Sequence, residues 1–131
     1  HSGSVWGLTT AWAAAANLKY GNYDHGKNFL EKMIKFIDRN QLGALPEVVN
    51  SETGESLGCD EQAWSASLCV FVVDYYLLGI QVGDDKVVIN PSGDVTAERK
   101  NKKIRGEKLD LRFEGGEVEI LNNQDLEIEV K

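Results

Sequence analysis

The residues from Ala63 to Ile80 constrain this chain more than any others, because they are apolar on almost every side. Their length approaches that of a membrane span. Ser65, Ser67, Asp74, Tyr75 and Tyr76 interrupt them, and that mixture suits a helix buried inside a soluble protein better than one in lipid. Asp60, two residues after Gly58, is the expected N-cap, and the helix is expected to run to Leu78 and stop at Gly79. Such a helix needs neighbours all round. The rest of the sequence predicts only two other helices, so part of the covering wall is expected from elsewhere: a missing N-terminal part of a longer protein, or another chain.

Thr9 to Tyr20 is alanine-rich and is stopped by Gly21-Asn22. Asp24 then reads as an N-cap. After it, Phe29, Leu30, Met33, Ile34, Phe36 and Ile37 recur at helical spacing, with Lys27, Lys32, Lys35 and Asp38 between them. Residues 41–59 form a long irregular loop, and loops of that length inside a domain are often functional.

The grammar changes near Gly83, since ten of the eleven aromatic residues precede it. Beyond it, Lys86–Asn90, Lys108–Phe113, Glu117–Ile120 and Leu126–Val130 read as short strands, with turns at Gly115-Gly116 and Asn122-Asn123. Glu117, Glu119, Glu127 and Glu129 mark a solvated face. The expected fold is therefore mainly α with a C-terminal antiparallel β meander, divided into residues 1–82 and 83–131.

The net charge of −7 argues against nucleic acid and anionic membrane surfaces as partners. His1 and His25 have no partners at metal-ligand spacing, so no metal and no cofactor are implied. If Cys59 and Cys69 share the third helix they stand about 15 Å apart, too far to bridge. Reduced thiols then point to a cytoplasmic protein.

Three features carry chemistry, in order: Gly3-Ser4-Val5-Trp6-Gly7 leading into the alanine-rich helix; Leu45-Pro46-Glu47 followed by Ser51-Glu52-Thr53-Gly54-Glu55; and Gly58-Cys59-Asp60-Glu61-Gln62-Ala63-Trp64-Ser65 opening the apolar helix. A loop carboxylate fixed by a proline is well placed for acid–base work. It is equally able to cap nearby backbone N–H groups. Trp6 and Trp64 could stack on a pyranose or pack in a core. Gln62 could bond a sugar hydroxyl or complete its own loop. Glu52 and Glu55 flank a turn where polar residues belong in any case. Asp74, if buried, must find a structural partner.

This order resembles the C-terminal part of the (α/α)6-barrel glycosidases of the glucoamylase type. The Gly-Cys-x-x-Gln-Ala-Trp-Ser string resembles most closely the microbial glycogen-debranching enzymes, the amylo-α-1,6-glucosidases. The resemblance covers residues 1–80 or so. It implies a partial barrel, a fragment of a longer enzyme, acting on an α-glucan by inversion. Glu47 matches the family's general base, His1 matches the polar residue before Gly-Ser-Val-Trp, and Trp6, Trp64 and Gln62 fall where substrate contacts would lie. No residue matches the family's general acid, which implies that the isolated chain is inactive. A trehalase-like or rhamnosidase-like barrel, or a non-catalytic carbohydrate-binding or structural module, are the competing readings.

Overall fold

The structure is a computed structural model and describes residues 3–37, 39 and 43–131. It contains three helices and small, mostly antiparallel sheets in two compact units, His1–Val73 and Asp74–Lys131.

In the first unit, strand β1 (Ser4–Trp6) runs directly into helix α1 (Gly7–Lys19), which packs on α2 (Tyr23–Ile34) and α3 (Ala63–Phe71). Alanine makes this packing close: Ala11 and Ala14 are fully buried on α1, with Leu18 beside them. The α1–α2 contact depends on Gly26, where an added Cβ would come within 2.6 Å of Leu18 Cγ. On α2 the helical spacing does bury Leu30 and Met33, but Ile34 is exposed. The chain begins α2 two residues earlier than an Asp24 cap requires, with Asn22 at the N-cap position and Asp24 in the first turn, where its charge suits the helix dipole. Strand β2 (Val48–Asn50) pairs antiparallel with β1, matching Trp6 with Val48, Val5 with Val49 and Ser4 with Asn50.

The long apolar helix is shorter than its hydropathy suggests. α3 starts at Ala63 with Gln62 at the N-cap position, so Asp60 does not cap it and Cys59 lies before it in the loop. After Phe71 the chain widens into a π-helical segment, Val72–Leu77. Both cysteines are free, Cys59 exposed and Cys69 buried.

The second unit corrects the expectation of a single meander. β5 (Ala97–Ile104), β6 (Glu107–Glu114) and β7 (Glu117–Asn123) do form one. However, β3 (Ile80–Val82), β4 (Val87–Ile89) and β8 (Ile128–Val130) form a separate sheet in which β8 pairs with β4 in parallel. β7 runs through the Asn122-Asn123 pair, and Asn123 instead closes the following turn by exchanging hydrogen bonds with Leu126. The alternation in β6 places Leu109, Leu111 and Phe113 in the core, all essentially inaccessible. Gly79 turns the chain into β3 with a φ of +67°, and a Cβ there would fall 1.8 Å from the Asn90 carbonyl oxygen, so only glycine fits.

Asp74 is buried in the π-helical segment and is fully partnered. Arg99 Nε donates to its Oδ1 at 2.7 Å, Arg99 Nη2 to its Oδ2 at 3.2 Å, and Lys102 Nζ to its Oδ2 at 2.6 Å. Residues three apart on a regular strand point to opposite faces. Here Arg99 pairs with Leu111 and Lys102 with Leu109, so β5 carries one extra residue against β6. That bulge, with Asn101 at a φ of +54°, turns both cations to one carboxylate.

Candidate active site

Leu45, Pro46 and Val49 are buried, so the segment carrying Glu47 is anchored on both sides of it. The loop that looked irregular is an ordered, hairpin-like return. Gln62 N–H donates to the Leu45 carbonyl at 2.8 Å, Glu47 N–H to Cys59 O at 2.8 Å, Leu57 N–H to Val48 O at 3.0 Å, and Asn50 N–H to Glu55 O at 2.9 Å. The tip is an Asx turn in which Asn50 Oδ1 accepts from Glu52 N–H at 2.8 Å and Thr53 N–H at 3.1 Å. Glu52 and Glu55 sit exposed on this tip, and Glu55 Oε2 accepts from the Thr53 hydroxyl at 3.2 Å. They hold the turn rather than share Glu47's surroundings.

Glu47 itself is half-buried. Its Oε2 accepts from Cys59 N–H at 3.3 Å, and it makes no ion pair among the described residues. One long hydrogen bond orients the carboxylate while leaving most of its lone pairs open to a water. Gly58 makes this possible: a Cβ at that position would stand 2.7 Å from Glu47 Oε2 and 3.2 Å from Val48 Cγ1. In the sequence Gly58 reads only as punctuation before a helix, and its role becomes visible when the two limbs of the loop are brought together.

The three sequence features meet at this point. β1–β2 pairing places Trp6 opposite Val48, the neighbour of Glu47. Thr9 and Thr10 hydroxyls donate to the Trp6 carbonyl at 3.2 and 2.8 Å, fixing the turn into α1. At Gly7 a Cβ would lie 2.7 Å from Ser65 Oγ and 3.6 Å from the Pro46 carbonyl oxygen, so the start of α1, the glutamate segment and the Trp-Ser start of α3 touch. Gln62 contributes its backbone N–H to that junction and is half-buried. It lines a crevice with Leu45, Glu61 and Ala66.

Trp64 is 48% exposed on α3, outside the core, and Trp6 is half-buried. His1 lies outside the described residues. No group of three or more His, Cys, Asp or Glu among the described residues is placed to hold a metal ion, and no helix of them is long and apolar enough to cross a membrane. A carboxylate so held can take a proton from a water; protonating a leaving group requires a second acid.

Comparison with protein-family models matches residues 1–70, more than half of the chain, to the family described as amylo-alpha-1,6-glucosidase. Comparisons with curated proteins and with solved structures give no match.

Proposed function

The chain belongs to the amylo-alpha-1,6-glucosidase family, a family of glycoside hydrolases, and from that premise we propose that it carries the basic half of an inverting glucosidase site. Glu47 would deprotonate the water that attacks the anomeric carbon. A carboxylic acid from another segment, about 6.5–9.5 Å away, would protonate the departing oxygen. The substrate would be a glycogen-like α-glucan with an α-1,6 bond. Trp6 and Trp64 would offer aromatic faces to pyranose C–H groups, and Gln62 a hydroxyl contact.

One observation carries this reading: three segments far apart in sequence converge on a half-buried carboxylate with a single hydrogen bond and no neutralising cation among the described residues. α1 to α3 would be part of an (α/α)6 barrel. The apolar side chains left open on α1 and α3, among them Trp12 at 57% and Val70 at 53% exposure, support further helices packing there. The free thiols suit a cytoplasmic enzyme.

The test is Glu47→Gln in the intact enzyme, assayed on an α-1,6-branched glucan. Turnover should fall about 10²–10⁴-fold with KM little changed. The first sugar released by the unaltered enzyme should be the β-anomer by proton NMR. Unchanged turnover in the variant would remove Glu47 from the chemistry and leave a binding or structural module.

A further inference from the structure

A second concave surface lies between the C-terminal end of α2 and the tip of the glutamate loop. Its helix wall presents Lys32, Lys35 and Arg39. These are three of the five lysines and arginines in residues 1–73 of an acidic chain, and none makes an ion pair among the described residues. Lysines near a helix C-terminus suit the helix dipole, which explains the sign of Lys32 and Lys35. It does not explain Arg39, which lies beyond the helix. Its Cζ sits 5.5 Å over the Phe36 ring. Its Nη1 presses on the opposite wall, 2.5 Å from where a Cβ on Gly54 would be. The guanidinium thus spans the groove on an aromatic support, with its other N–H groups making no hydrogen bond among the described residues, a poise that favours bidentate capture of an oxyanion.

The rest of the groove has a different chemistry. Val5, Phe36 and Val49 line it with apolar surface, and Ser51 brings a hydroxyl to the loop wall, where the Thr53 hydroxyl is already engaged with Glu55. The Glu52 carboxylate on that same wall repels anions, which confines negative charge to the helix side. One end is therefore cationic, and the other is hydroxyl-bearing above an apolar face.

We propose that this groove binds a phosphorylated saccharide, with the phosphate held by Lys32, Lys35 and Arg39 and the sugar ring on Phe36, its hydroxyls toward Ser51. The site is separate from Glu47 and does not depend on the catalytic reading.

Titration calorimetry of the intact protein with glucose 6-phosphate, inorganic phosphate and glucose tests this. Glucose 6-phosphate should bind saturably and more weakly as salt rises, inorganic phosphate at least about tenfold more weakly, and glucose not measurably. Lys35→Gln and Arg39→Gln should each weaken glucose 6-phosphate about tenfold or more, with circular dichroism and melting unchanged. Glu47→Gln should bind it as the unaltered protein does. The proposal is overturned by absent saturable binding, by affinity that both groove substitutions leave unchanged, or by loss of binding in Glu47→Gln. Inorganic phosphate binding as tightly as the sugar phosphate would also overturn it, because the site would then be an anion site with no place for a saccharide.

Discussion

At Gly7 the first turn of α1 passes so close to α3 that no side chain fits between them. Gly7→Ala should cost about 1–3 kcal/mol in urea unfolding, because the new methyl can only displace Ser65 or the Pro46 segment. The Ser65 hydroxyl at this contact is fully buried and has no hydrogen-bond partner among the described residues. Ser65→Ala should therefore be neutral or stabilising in the same assay, since a buried unsatisfied hydroxyl is a cost that its removal relieves. A loss of 2 kcal/mol or so would reveal a partner, such as a bound water. Gly58→Ala meets the Glu47 carboxylate directly, so if Glu47 is the proposed base it should lower turnover of the intact enzyme more than stability. Sequence alone told that Asp74 would need partners if buried. It could not name Arg99 and Lys102, which lie 25 and 28 positions away and come within reach only through a strand bulge.

Among the elements, those with a long period were legible and those without one were not. α2 and the core face of β6 follow helical spacing or alternation over many residues, while α1 was legible from its alanine run and the Gly21-Asn22 stop. β1, β2 and β3 are three residues each, too short for a period to show. β5 was not among the expected strands, because Glu98-Arg99-Lys100-Asn101-Lys102-Lys103 is a charged, polar run with no apolar alternation. Part of that charge serves Asp74, and part forms a cross-strand ladder in which Arg112 bonds Glu98 at 3.0 Å and Glu119 at 2.8 Å.

The Asp74 cluster gives β5 a pH signature. Burial pushes its carboxyl up, but the hydrogen bonds and charges of Arg99 and Lys102 outweigh that and hold it below its ordinary value of 3.8. A depressed carboxyl stabilises the fold above the unfolded value and loses that contribution as pH falls through the folded one. Asp74→Asn should thus be less stable than the unaltered chain by a constant margin at neutral pH, and the margin should shrink only below about pH 4. Urea midpoints from pH 7 to pH 3 measure it; a margin that shrinks already between pH 7 and 5 would contradict the assignment. Asp74→Ala, which leaves two partly buried cations unpaired, should cost about 3 kcal/mol.

For the molecule as a whole, the open apolar side chains are the main inheritance of its sequence. Trp12 and Val70 contribute little buried area to this chain. Trp12→Gln with Val70→Gln should therefore change the stability of the 131-residue chain by no more than about 0.5 kcal/mol. In the intact enzyme, if further barrel helices pack on that face, the same pair should cost several times as much, as a shift in melting temperature would show. Equal effects in both contexts would leave the barrel reading without its support. On the proposed reading, in which another segment supplies the acid, the chain alone should not hydrolyse a branched glucan. Hydrolysis abolished by Glu47→Gln would show a complete site.

The parallel pairing of β8 with β4 sets the order in which the C-terminal unit can be made. The contacts Val87 to Ile128 and Ile89 to Val130 join positions about forty residues apart, whereas β5, β6 and β7 meet through neighbouring turns. Loop closure is slower for distant pairs, so the meander and the β3–β4 hairpin should condense first and β8 dock on β4 last. On a ribosome the β4 edge, with Val87 and Ile89 in it, would wait uncovered until residues 128–130 emerge. Deleting β8 would then leave that edge permanently available to other strands, so the β8 pairing also guards against aggregation.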